Sequence, residues 1–235
     1  MMTAFPVTHY SFKPTDISSL ALWLDASDLT TITQVSNAVS QWNDKSGNAR
    51  NATQSTGANQ PITGTRTLNG RNVLDFNGSS HTMNYTGISP ASGLTVFYMA
   101  SHDTVGTVQT LIGGASGSAA FGLVNTNTHR IVKTAVVQIL AGTATITGGS
   151  ISFYTATTQS SGNKLFLAGA ADNSNATNPS YTANTSSVGS GSLGTQFFDG
   201  RVAEVVIYTK ILSNPELNLV GQYMAQKWGR TWTTI

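Results

Sequence analysis

Residues 20–25 read Leu-Ala-Leu-Trp-Leu-Asp, with leucine at every second position and Ala21 and Trp23 between. Alternation at period two is a strand signature, and apolar residues on both faces predict a strand covered on both sides. Residues 39–44 predict another strand, closed by the turn formers Lys45-Ser46-Gly47-Asn48. Asn69-Gly70 stands between Leu68 and Val73-Leu74-Asp75-Phe76. That is a hairpin signal, because Asn and Gly tolerate the positive φ of a two-residue turn. Residues 94–100 (Leu-Thr-Val-Phe-Tyr-Met-Ala) are continuous, β-branched and aromatic, and predict the centre of a sheet. Further strands are expected over 108–112, 121–124, 130–137, 151–155, 164–168 and 201–208, separated by Gly- and Asn-rich breaks. Many short strands without intervening helices argue for a sandwich or barrel, and no fixed period suggests a propeller or solenoid.

One helix stands out, over 213–229. Ser213 and Glu216 have capping-box spacing, so each side chain can bond the other's backbone N–H. Leu217, Val220, Met224 and Trp228 then fall on one face, and Gly229 is a ready C-cap. Residues 1–19, with Pro6 and Pro14, lack strand patterning and are expected to form an arm that docks on a neighbouring subunit. Residues 172–194 are low in apolar content and are expected to be a long polar loop, with a weak edge strand near Tyr181. The expected organisation is an arm over 1–19 and a single β-sandwich domain over 20–235.

Composition sharpens this picture. Charged residues make up 9% of the 235, against about 25% in ordinary globular proteins, while hydrophobic residues reach 39%. Thr, Ser, Asn and Gly replace the missing charges, which favours sheet surfaces over helical ones. The net charge of +2 arises from scattered Lys and Arg with no basic run, so there is no electrostatic footprint for nucleic acid. There is no cysteine, which excludes disulfides and thiolate metal sites and fits assembly in a reducing cytoplasm. Nothing resembles a signal peptide or a spanning helix, so membrane insertion is not expected.

The blocks LWLDASDL, WNDKSGNARNATQ and LNGRNVLDFNGSS, together with the closing FFDGRVAEVVIYTKILSNPELNLVGQYMAQKWG, resemble concanavalin A-like (laminin G-like) domains. The resemblance spans about residues 16–229, with strand pattern alone matching between about 104 and 195. It implies an all-β, concanavalin A-like jelly-roll β-sandwich with a short C-terminal helix. Such domains occur in phage tail fibres, capsid-surface proteins, adhesins and carbohydrate-binding modules. The expectation is a non-enzymatic virion-surface protein, made in the host cytoplasm. Its partners would be other virion proteins, a cell-surface glycan and further copies of itself. The alternative is a carbohydrate-binding module of a bacterial adhesin or glycosidase.

Candidate chemistry is sparse. Glucanases of this fold place two carboxyls about 5–5.5 Å apart for retaining hydrolysis. Glu204 and Glu216 are the only glutamates and lie in different elements, so Glu204 is expected to make a structural hydrogen bond; an Asp25–Asp28 pair is the remaining option. Calcium, which takes oxygen ligands, is the one cofactor the pattern admits, through Asp172, Asn173 and Asn175 or through Asp44 with Asn48. The competing explanation is that turns favour Asn and Asp. Gly189-Ser-Gly-Ser-Leu-Gly194 matches a dinucleotide fingerprint by letter but lacks its strand-to-helix context, and reads as a loop. His9, His81, His102 and His129 are isolated, and are expected on the surface or hydrogen-bonded. Trp23, Trp42 and Trp228 are expected in the core. Glycan-facing residues are expected from loops: Tyr85, Asn125, Asn127 and Tyr181.

Overall fold

The computed structural model describes residues 11–90, 93–114, 119–123, 127–133, 137–159, 161–176, 185–191 and 196–235. Among these the chain forms seventeen strands and one α-helix. The first half contains β1 (Leu20–Asp25), β2 (Ile32–Val35), β3 (Ala38–Trp42), β4 (Ala52–Thr53), β5 (Ile62–Leu68), β6 (Arg71–Asn77), β7 (Met83–Ile88) and β8 (Leu94–His102). There follow β9 (Ile112–Gly113), β10 (Ala119–Leu123), β11 (Thr128–Lys133), β12 (Val137–Thr145) and β13 (Ile151–Gln159). Last come β14 (Gly162–Leu167), β15 (Ala170–Asn175), β16 (Thr185–Val188), β17 (Asp199–Tyr208) and α1 (Asn214–Lys227).

Antiparallel pairing arranges these strands in two layers. The first runs β15-β14-β13-β8-β17; the free edge of β17 pairs with β6 near Asp199 and with β1 near Tyr208, and β5 extends from β6. The second runs β2-β3-β4-β7-β16-β9-β10-β11-β12. Among the described residues one strand bridge, Ala38 to Ile62, pairs the layers. Leu22, Leu24, Trp42, Phe76, Tyr98 and Phe121 belong to the core between the layers. Helix α1 covers the outer face of the first layer, where Leu217, Val220, Met224 and Trp228 pack on Trp23, Phe97, Met99 and Val206.

Strand β8 lies between β13 and β17, with the second layer on one face and α1 on the other. All nine of its residues are therefore buried, as its continuous apolar run requires. The helix begins at the expected capping box, with the Ser213 N–H donating to Glu216 Oε2 at 2.9 Å. Glu204 of β17 is completely buried beneath the helix. It accepts from Trp23 Nε1 (2.7 Å), Tyr223 OH (3.0 Å) and Trp228 Nε1 (2.6 Å), and pairs with Lys227 at 3.0 Å. Burial pushes its carboxyl above the usual range, against the pull of Lys227. Both indoles thus use their N–H groups on one carboxylate, which ties β1, β17 and α1 together. No helix among the described residues is long and apolar enough to cross a membrane.

Four expectations need correction. Of 108–112 only the end is strand, because Gln109 bonds Thr104 O and the Asp199 N–H through its side chain and holds a connection instead. The single strand over 130–137 is two, β11 and β12, paired as a hairpin. The expected polar loop over 172–194 includes the end of β15 and all of β16, while Tyr181 lies outside the described residues. The expected arm joins the domain over 11–19: Pro14 and Ile17 are buried, and Tyr208 OH donates to Pro14 O at 2.9 Å. Phe12 adds an edge contact to Tyr223 at 6.1 Å, and residues 1–10 lie outside the described part.

Candidate functional site

Of the residues singled out for glycan contact, the two that are described, Tyr85 and Asn127, lie in separate elements. Tyr85 lies in β7 and points into the core, 6% exposed, with burial driving its phenol pKa upward. Asn127 occupies a left-handed turn (φ 58°) before β11, where its carbonyl accepts from Ile146 N at 2.7 Å. Asn125 and Tyr181 lie outside the described residues.

The calcium candidates fasten strands. Asp172 Oδ1 accepts from Thr143 N (2.7 Å), Thr143 Oγ1 (2.9 Å) and Ala144 N (2.8 Å), while Asn173 Nδ2 donates to Ala141 O. Asn175 ends a ladder: Thr158 Oγ1 donates to Asn163 Oδ1, Asn163 Nδ2 to Asn175 Oδ1, and Asn175 Nδ2 to Ile139 O, at 2.6, 2.8 and 2.7 Å. These side chains stitch the β15 edge of the first layer to β12 of the second. Asp44 accepts from the N–H groups of Trp23, Ser46 and Arg50, and Asn48 Nδ2 donates to Leu20 O, so both organise the turn after β3. Among the described residues no three His, Asp or Glu side chains gather as metal ligands.

Carboxylates are similarly engaged. Glu204 is sealed beneath the helix, and Glu216 caps it while paired with Lys210 at 2.7 Å. Lys45 bridges Asp25 and Asp28 at 2.9 and 2.7 Å. Burial raises the Asp25 carboxyl, but Lys227, Ser27 and Lys45 outweigh it and hold the group below its usual value. Of the histidines, His81 bonds Asp75 O as expected, His9 lies outside the described residues, and two depart from expectation. His102 and His129 are 1% and 3% exposed, and neither ring has a hydrogen-bond partner among the described residues.

An open site lies on the outer face of the second layer. In β3, Thr33 of β2 pairs with Gln41 and Gln34 with Val39, so Ser40 is an extra, bulged residue. The bulge sends Val39 and Trp42 inward and leaves both Ser40 and Gln41 on the outer side. Strand alternation adds Thr53 from β4, with Ala52 buried, and Asn84 from β7, with Met83 and Tyr85 buried. Together with Thr33, Gln54 and Ser55 these residues line a groove of about 410 Å³. Its lining carries no charged side chain and consists entirely of hydroxyls and amides. Gln54 is fixed by donating to Thr82 O at 3.0 Å, and Gln41 by donating to Asn43 Oδ1 at 2.7 Å. Such an array is suited to a neutral polyhydroxylated ligand, whose hydroxyls donate and accept in turn. From sequence, Asn84 was missed by one position: the strand's parity turns Tyr85 inward and its neighbour outward.

This two-layered sandwich with a helix on one outer face is a lectin-type architecture. The chain belongs to the concanavalin A-like lectin/glucanases superfamily, whose sequence profile matches residues 77–218. Sequence comparison with curated proteins gives no match. Among solved structures, domain 4 of AbnA, a GH43 extracellular arabinanase from Geobacillus stearothermophilus in complex with arabinotriose, is similar. Its TM-score is 0.63 at 15% identity, over 86% of this chain and 98% of that one. The binding domain of Paraclostridial Mosquitocidal Protein 1 aligns with TM-score 0.63 and 16% identity, over 93% of this chain and 56% of that one. Trypanosoma rangeli sialidase aligns with TM-score 0.60 and 14% identity over 92% of this chain, which spans only 34% of the sialidase. At these identities the likeness is one of fold.

Proposed function

We propose that this chain is a non-catalytic glycan-binding domain of a virion-surface protein, with its ligand lying across the Thr33–Gln41–Thr53–Asn84 groove. The observation that carries the reading is the groove itself, an uncharged run of hydroxyls and amides on a rigid sheet. The similar arabinanase domain, solved with arabinotriose, supports a saccharide ligand. The buried or bridged state of Glu204, Glu216, Asp25 and Asp28 supports binding without hydrolysis. The virion setting, with other virion proteins and further copies of the chain as partners, rests on composition: few charges, no cysteine, and a Thr/Ser/Asn/Gly surface. A second setting, an accessory module of a secreted glycosidase or adhesin, is favoured by the match to 98% of the arabinanase domain.

A glycan array tests the binding claim. The full chain should bind a defined set of neutral glycans, and Gln41→Ala and Asn84→Ala should each weaken binding about 3–10-fold, the worth of one hydrogen bond. Absence of binding across the array, or binding indifferent to both substitutions, would remove the proposal. Immunogold labelling of intact virions separates the two settings.

A further inference from the structure

We propose a second ligand site, on the opposite outer face of the sandwich, selective for a carboxylate-bearing sugar. Beside the start of α1, strands β13, β14 and β15 are left uncovered by the helix. The register places Thr157, Lys164 and Ser174 side by side across these strands, and Phe166 follows Lys164 on the same face of β14. Two adjoining hollows of about 360 and 420 Å³ share Lys164, Phe166, Ser174 and Asn214. Ile211 and Leu217 add an apolar wall to the first.

The charge balance of this trough selects the ligand. Lys164 is exposed, is the one basic side chain lining the two hollows, and, like several surface arginines, makes no ion pair among the described residues. The facing acid, Asp172, already takes three donors from β12 on Oδ1, and Oδ2 lies against the Gly142 backbone. A sugar ring seated against the half-buried Ile211, with only the edge of the largely buried Phe166 beneath it, turns its hydroxyls to Asn214 and Ser174. Its carboxylate then meets the Lys164 ammonium, which a neutral sugar leaves without a counter-charge. Because the trough and the groove lie on different layers, this site stands or falls independently of the first.

Calorimetric titration of the full chain with glucuronate- and N-acetylneuraminate-terminated trisaccharides, and with their methyl esters, tests the proposal. At least one acid should bind more tightly than its ester by about three- to fivefold, the scale of one exposed ion pair. Added salt should narrow the gap. Lys164→Gln should abolish it, Lys164→Arg should keep it, and Asn84→Ala should leave it unchanged. Equal binding of acid and ester, no binding of either, a preference that survives Lys164→Gln, or one that disappears in Asn84→Ala would overturn the assignment. Lys164 is exposed, so an unchanged melting temperature certifies each variant as folded.

Discussion

Lowering the pH should unfold this domain through two imidazoles. His102 contacts Phe198 edge-on at 4.9 Å and Tyr154 at 5.9 Å; His129 contacts Tyr154 at 4.5 Å and Tyr98 at 5.3 Å. Among the described residues neither ring has a hydrogen-bond partner, and burial pushes both pKa values down to about 3. The His102 ring also disfavours protonation of His129, while nearby Asp103 opposes burial at His102. In the unfolded chain both titrate near 6.5. The unfolded state therefore binds more protons below that pH, and stability falls as pH drops from about 6.5 towards 3. Each histidine costs about 1.4 kcal/mol per pH unit in this window, so the pair removes about 5 kcal/mol by pH 4.5. That is comparable with the whole stability of a typical domain.

Other titrating groups differ from the pair in window or in sense. Asp28, Asp103 and Glu216 are held below their usual values by hydrogen-bonded Lys45, Arg66 and Lys210, so their contributions fade only below about pH 4.5. Glu204 and Asp75, raised by burial, act in the opposite sense. His81, lowered by burial, acts in the same sense as the pair. Thermal melts by near-UV circular dichroism from pH 7.5 to 4 should show a melting temperature that declines below about pH 6.5. His129→Phe keeps the ring contacts without the titration and should remove about half of the slope, and adding His102→Phe should remove most of the rest. A flat profile between pH 7 and 4.5, or an unchanged slope in the double variant, would show that these imidazoles do not set the acid stability.

Trp228→Ala should destabilise by about 3–5 kcal/mol in urea titrations, since it empties a core position and strips a donor from Glu204. Deleting residues 213–235 should likewise give insoluble or molten protein, because Phe97, Met99 and Val206 lose their cover; a soluble truncation with an unchanged melting temperature would show the helix to be an appendage. Gly142→Ala would set a Cβ 1.8 Å from Asp172 Oδ2, and should cost about 1–3 kcal/mol by forcing β12 from β15. Calcium or EDTA should leave the melting temperature unchanged, since Asp172, Asn173 and Asn175 already serve the β12 edge; a rise of several degrees with calcium would establish a metal site there.

What the sequence disclosed depended on apolar burial. The β8 run, the Asn69-Gly70 hairpin and the capped helix each carry a local signal that the tertiary fold reinforces. Strands β15 and β16 escaped because amide ladders and backbone pairing, not apolar alternation, hold them in place. The groove escaped for a different reason. Its residues come from four strands, two of them share a face only through the bulge at Ser40, and Tyr85, expected in a loop, lies in β7 facing the core while Asn84 faces outward. The buried histidines carried no local mark at all, since their surroundings are assembled from β8, β11 and β13.

Backbone amide NMR during titration with the best neutral glycan from the array tests glycan recognition at the groove most directly. Saturable shifts should centre on Thr33, Ser40, Gln41, Thr53 and Asn84 and be lost together in Asn84→Ala. Shifts centred elsewhere, or none at saturating ligand, would contradict it.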